Sequence, residues 1–192
     1  GPGDHVIEIG AGLGSLTLAL AETGAAITAV EVDRGIVPVL RDVVAEVPTV
    51  RVVEADATMV DWNELLAGHD RWTLVANLPY NIATPLVADL LDDVPQVAAM
   101  LVMVQKEVAQ RFAAGPGSKQ YGAVSVKVAY WATARLVGDV PPTVFVPRPN
   151  VDSALVRIER RDPPDVDRAR LFELVRTAFG QRRKMLRRSL AG

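Results

Sequence analysis

His5-Val6-Ile7-Glu8-Ile9-Gly10-Ala11-Gly12-Leu13-Gly14-Ser15 is the stretch that decides the fold. The apolar, β-branched run up to Ile9 reads as a buried strand. Glycines directly after it let the backbone turn sharply into a helix and approach a ligand closely. The helical pattern that follows carries Leu16, Ala19 and Leu20 on one face. Strand, glycine turn and helix in this order open a nucleotide-binding α/β sheet. A dinucleotide fingerprint would need glycine at position 15, where the chain has Ser15. Glu8 sits badly with a pyrophosphate and suits a cationic ligand, such as a sulfonium with an amino-acid tail. Glu8, Gly10 and Gly12 are therefore cofactor-contact candidates, and the cofactor they favour is S-adenosylmethionine rather than NAD.

Downstream, the strand Ala26 to Val30 ends in Glu31-Val32-Asp33. A carboxylate about 20 residues beyond the glycine turn is where doubly wound folds grip a ribose diol, which selects Glu31. Asp33 suits the cap of the next helix. In that helix Ile36, Val39, Leu40, Val43, Val44 and Val47 read as core, with Pro38 confined to the first turn. A third strand, Val50 to Val53, leads to Asp56, which is either an acceptor for an adenine amine or a surface-loop aspartate. The fourth, from Trp72, ends in Asn77-Leu78-Pro79-Tyr80. Pro79 keeps Leu78 extended. The Asn77 side chain and the Leu78 carbonyl could then converge beside the Tyr80 ring, two acceptors and a stacking face for a planar amine such as adenine. The alternative is an ordinary turn, since Asn and Pro favour turns. The glycine turn, Glu31, Asp56 and Asn77 all fall at strand carboxyl ends, the ligand edge of open α/β sheets.

The remainder of the chain completes the sheet and adds a basic end. Val97 to Val104 suits the centre of a parallel sheet, and a helix opens at Gln105 and runs to Phe112. Residues 113–120 form an exposed loop in which Lys119 is a candidate phosphate contact. A helix over 121–131 precedes strands Arg135 to Val140 and Ser153 to Ile158. The loop between those strands is dense in proline and holds Phe145, either an aromatic platform or a side chain folded onto the core. Asp162-Pro163-Pro164-Asp165 reads as a linker. After it, Leu171, Leu174, Val175, Ala178 and Phe179 form a helical stripe that Gly180 stops. A second helix from Arg182 to Leu190 carries Arg182, Arg183, Lys184, Arg187 and Arg188. Residues 1–147 hold 9 basic and 17 acidic residues, whereas 148–192 hold 12 and 6. That asymmetry points to a polyanion, with Arg148 and the basic helix as contacts. The chain has no cysteine and two histidines, which leaves no thiolate site and no imidazole cluster for a metal. Its longest apolar run is far short of the ~18 residues that span a membrane.

Four stretches carry a family resemblance: Glu8 to Thr17, Asn77-Leu78-Pro79-Tyr80-Asn81-Ile82, Gln105-Lys106-Glu107-Val108, and Pro147-x-Pro149-Asn150-Val151-Asp152-Ser153-Ala154. In order and spacing they resemble the ribosomal RNA adenine dimethyltransferases, over nearly the whole chain. Leu78 and the loop 116–122 favour the branch acting on the small subunit. The resemblance implies a Rossmann-like class I methyltransferase with a seven-stranded sheet over residues 1–161. It further implies the start of a small C-terminal helical domain over 162–192, with segments missing at both ends. The implied substrates are S-adenosylmethionine and two adjacent adenosines near the 3′ end of small-subunit ribosomal RNA, on the small ribosomal subunit or its precursor. By position Gly10, Glu31, Asp56 and Asn77 match cofactor contacts, Asn77 through Tyr80 the catalytic loop, and Phe145 an aromatic that sandwiches the target base. Ala11 and Ala83 depart mildly from the family pattern. The expectation is a monomeric cytoplasmic enzyme without metal. The rival is a non-catalytic ribosome-assembly or nucleic-acid-binding factor on the same fold.

Overall fold

The computed structural model describes residues 1–180. Seven strands form one sheet in the order β3-β2-β1-β4-β5-β7-β6. They are β1 (His5–Ile9), β2 (Ala26–Glu31), β3 (Val50–Glu54), β4 (Trp72–Asn77), β5 (Val97–Gln105), β6 (Ala132–Val140) and β7 (Ser153–Arg160). The first five run parallel, and β7 is antiparallel to both β5 and β6. The helices are α1 (Ser15–Ala21), α2 (Val37–Val43), α3 (Trp62–Leu65), α4 (Ala83–Asp93), α5 (Lys106–Phe112), α6 (Ala123–Trp131) and α7 (Arg168–Gly180). Strand order reverses between β1 and β4, and that switch point is where such sheets bind ligands.

The core follows from uninterrupted apolar strands. Ile7 of β1, Leu74 of β4, Met100, Val102 and Val104 of β5, and Val156 and Ile158 of β7 are buried together with Leu86, Val87, Leu90 and Leu91 of α4. At the end of α4 the Arg160 guanidinium donates to the carbonyls of Leu90, Leu91, Val94 and Val97, at 2.9–3.1 Å. One side chain thus adds donors to carbonyls at the end of α4 and the start of β5, and ties β7 to both.

Several expected faces are corrected. In α1 the buried side chain is Thr17, while Ala19 is exposed and Leu16 and Leu20 are half-buried. The reason is that a buried carboxylate beneath the helix needs a hydroxyl partner. α2 is shorter than expected; Val37, Leu40 and Val44 face the core, and Val39 and Val43 lie exposed. β5 is central as expected, but only its β4 neighbour is parallel. In α7 Val175 is buried and Leu174 is exposed, because the helix packs through Phe172, edge-on to Tyr130 of α6 with ring centroids 5.3 Å apart. Arg168 of α7 also reaches Asp92 of α4 at 3.1 Å and stacks over Trp131. Gly180 is still helical, and Arg182, Arg183, Lys184, Arg187 and Arg188 lie outside the described residues.

Candidate active site

The glycine turn is held from two sides. The amides of Gly10 and Ala11 both donate to the Val30 carbonyl, at 2.9 and 3.3 Å, which pins the turn to the end of β2. Gly10, Gly12 and Gly14 have φ of 74°, 56° and 87°, a region that side-chain-bearing residues rarely adopt. A Cβ on Gly14 would lie 3.0 Å from Leu40, so that glycine also lets the turn sit on α2. A Cβ on Gly10 would come within 3.8 Å of the Asn77 carbonyl, which places the catalytic-loop candidate beside the turn.

Glu31 is the second support. Its Oε2 accepts from the Gly12 amide at 2.8 Å, and its Oε1 accepts from the amides of Val32 and Asp33, each at 2.9 Å. A buried carboxylate is satisfied by three backbone N–H groups and fixes the turn in return. Oε2, with a single bond, keeps a second lone pair for a diol hydroxyl. The Ala55 amide donates to the Glu31 carbonyl at 3.0 Å, so the end of β3, with Asp56 following, lies next to it. Asp56 is exposed, and its Oδ1 accepts from the amide and hydroxyl of Thr58 at 2.8 and 2.7 Å, which holds its carboxyl below the usual range. Its other oxygen makes no bond among the described residues.

Glu8 lies beneath the turn, 1% exposed, and accepts from the Thr17 hydroxyl at 2.6 Å. Burial pushes its carboxyl up to about 7; the Thr17 bond opposes this, and the nearby Glu31 charge adds to it. Two acids in one corner form an environment that a cation would relieve, which fits the acid-lined, glycine-cradled site expected for a sulfonium cofactor. Thr17 was not legible as a site residue, because a lone threonine in an apolar helix stripe carries no signal of its own.

The catalytic-loop candidates meet at the mouth of β4. The Leu78 amide donates to the Met103 carbonyl at 3.0 Å and its side chain is buried, so the loop is anchored to β5. Among the described residues neither the Asn77 side chain nor the Leu78 carbonyl has a hydrogen-bond partner, and Asn77 is exposed. Beyond Pro79, whose carbonyl accepts from Ile82 and Ala83, the chain turns directly into α4. The half-buried Tyr80 reaches over the end of β5, where its hydroxyl meets Ser153 Oγ at 2.9 Å. Ser153 is a second unforeseen partner, 73 residues away in sequence.

The remaining candidates are more dispersed. Phe145 is half-buried after the short helical turn Pro142–Val144 and forms no aromatic pair with Tyr80 among the described residues. Lys119 and Arg148 are exposed and make no ion pair there. Among the described residues no group of three or more His, Cys, Asp or Glu side chains could hold a metal, and no helix is long and apolar enough to cross a membrane.

Comparison with known proteins agrees with this geometry. The family model described as ribosomal RNA adenine dimethylase matches residues 1–192. The chain is 50% identical over 204 residues to ribosomal RNA small subunit methyltransferase A of Cutibacterium acnes, covering all of this chain and 67% of that protein. It superposes on the crystal structure of a dimethyladenosine transferase from Plasmodium falciparum with a TM-score of 0.81 and 26% identity, covering 97% of this chain and 66% of that one. The structure of the 23S rRNA methyltransferase ErmE gives a TM-score of 0.80 at 26% identity, covering 98% of this chain and 75% of that one.

Proposed function

The chain belongs to the ribosomal RNA adenine dimethylase family of S-adenosylmethionine-dependent methyltransferases, and from that premise we propose how its residues perform N6,N6-dimethylation of rRNA adenosine. The observation that carries the proposal is the pair of free acceptors, the Asn77 side chain and the Leu78 carbonyl, on a loop anchored to β5 and held against the glycine turn.

The N6 lone pair of adenine is delocalised into the ring and is a poor nucleophile. Hydrogen bonds from both amine protons to Asn77 and Leu78 favour a more tetrahedral nitrogen and aim its lone pair. The cofactor supplies an electrophilic methyl on a sulfonium that is already a good leaving group. Positioning and electrostatics therefore suffice, and no strongly basic side chain is needed. Gly10 and Gly12 give the cofactor close backbone approach, Glu31 the ribose hydroxyls, Asp56 the adenine amine, and Glu8 a negative background. The target base must leave its stack, and Tyr80 replaces lost stacking at ~1–3 kcal/mol, with Phe145 as the second ring. Transfer leaves the nitrogen cationic, it releases one proton to solvent, and the remaining N–H can still donate to one of the two acceptors, so a second round is possible.

We infer that the RNA is the 3′ region of small-subunit rRNA, with two adjacent adenosines, on the small ribosomal subunit in the cytoplasm. Lys119, Arg148 and the basic residues 182–188 would hold its phosphates, and the enzyme would act as a monomer. The test is incubation with labelled S-adenosylmethionine and unmethylated small subunits, followed by mass spectrometry of the nucleosides. Dimethyladenosine at two neighbouring positions is expected. Cofactor binding without any methylated nucleoside would overturn the enzymatic reading and favour an assembly factor.

A further inference from the structure

A polar pocket, of about 440 Å³, opens where the carboxyl end of β5 meets the amino end of β7 and is lined by Gln105, Lys106, Glu107, Gln110, Asn150 and Asp152 among others. Its size falls within the ~300–1,000 Å³ of small-ligand sites. It lies directly beyond the catalytic loop. Gln105 is register partner of Ser153, and Ser153 bonds the Tyr80 hydroxyl, so one residue links the pocket lining to the Tyr80 ring.

Its chemistry is unusual for this protein. The three side-chain amides, Gln105, Gln110 and Asn150, make no hydrogen bond among the described residues, whereas the charges around them are largely spoken for. Lys106 is held by Asp139 at 2.7 Å, and Glu107 pairs with Arg111. A phosphate would meet Glu107 and Asp152 with no unpaired cation in the lining. A nucleobase would meet three groups that each offer a donor and an acceptor, the side-chain type that reads the paired amine and ring nitrogen of adenine.

We propose that this pocket seats the base of a nucleotide adjacent to the adenosine undergoing methylation, and that Gln105, Gln110 and Asn150 read that base as adenine. The proposal rests on the rRNA dimethylation reading and adds a specificity site to it. The pocket is tied to the catalytic loop through Ser153, which adjoins Asp152 of the lining and bonds the Tyr80 hydroxyl. It also gives the two methylations a physical coupling: a neighbour already dimethylated has no N6 proton left to donate to these amides, so the second adenosine is read differently once the first is modified.

The experiment uses small subunits reassembled with a synthetic 3′ RNA in which each neighbour of one target adenosine is replaced in turn by purine riboside, which lacks the amine. Single-turnover methylation of the remaining adenosine is measured for the unaltered protein and for the Gln110→Ala/Asn150→Ala variant. For the unaltered protein, replacement at one neighbour should slow the reaction about tenfold or more, the scale of losing a bidentate base contact. In the variant, natural and substituted RNA should react within about twofold of each other. Undiminished discrimination in the variant, or none at either neighbour in the unaltered protein, overturns the pocket assignment. Failure of the unaltered protein to methylate natural RNA overturns instead the dimethylation reading beneath it.

Discussion

The two halves of the sheet differ in how far their carboxylates and side-chain amides are satisfied internally. On the β3-β2-β1 side the polar atoms are tied up internally: Glu31 takes three backbone amides, Glu8 takes Thr17, and Asp56 takes Thr58. On the side running from β4 to β7, Asn77, Gln105, Gln110 and Asn150 have no such partners among the described residues. The first arrangement is preorganised and suits a ligand of fixed shape that binds the same way every turnover. The second leaves hydrogen-bonding capacity for a partner that arrives from outside, as RNA does. The comparison therefore separates a cradle whose mutation should cost stability and cofactor affinity from a reading surface whose mutation should cost rate or specificity with little loss of fold.

Asn77→Ala tests the reading side with the largest effect. Losing one acceptor for the reacting amine should lower the methyl-transfer rate by about 10²–10³-fold, the scale of removing one preorganised hydrogen bond from a transition state. Because the Asn77 side chain has no partner among the described residues, the melting temperature should stay within a degree or two of the parent. A large drop in melting temperature would show Asn77 to be structural and break the division between the two sides.

Glu8 tests the cradle through pH. Its carboxyl is raised from 4.5 to about 7, so between these values the folded chain binds more protons than the unfolded one. The stability this group contributes is present in full below pH 4.5 and is lost as pH rises through about 7. Chemical denaturation of the parent should show about 2–3 kcal/mol of extra loss between pH 5 and 8 relative to Glu8→Gln, which can still accept from Thr17. Cofactor bound as a cation should favour the ionised form, so its affinity should rise over the same interval. Identical pH curves for parent and variant would remove Glu8 from the cradle's electrostatics.

Glu31→Gln sharpens the same side. The amide replaces one acceptor by a donor facing a backbone N–H, so at least one of three bonds is lost and one repulsive contact appears. A loss of about 2 kcal/mol in stability is expected, together with weaker cofactor binding measured by calorimetry. Unchanged cofactor affinity at reduced stability would confine Glu31 to building the turn.

Most of the fold was legible because strands β1 to β4 are short runs ending in glycine, acidic or Asn-Leu-Pro signals, and those ends define the ligand edge. Gly10, Glu31, Asp56 and Asn77 each follow from that logic as candidates. What escaped was anything set by pairing between distant segments. Thr17 is buried with its hydroxyl on Glu8, and Arg160 reads as a charged strand end until the end of α4 and the start of β5 present four carbonyls to it. The exposed Val39, Val43 and Leu174 show the same limit: helical spacing gives an apolar stripe, but the partner surface decides which edge of the stripe is covered.

Ser153 ties the loop after β4 to β7 within the reading side, and it gives the smallest and most discriminating prediction. Its hydroxyl lies in a buried position at the start of β7 and meets the Tyr80 hydroxyl, so it fixes the ring that would stack on the target base. Ser153→Ala removes one neutral hydrogen bond worth about 1 kcal/mol. If that bond only adds stability, denaturation will report the loss and the kinetics will not. If it orients Tyr80, KM for RNA should rise severalfold while cofactor affinity stays constant, and adding Tyr80→Phe should bring little further change. Additive effects of Ser153→Ala and Tyr80→Phe would mean the two act independently and that the Tyr80 ring is positioned by its loop alone. Non-additivity confined to the RNA term would assign the Tyr80 ring and its Ser153 bond to the reading surface as one unit.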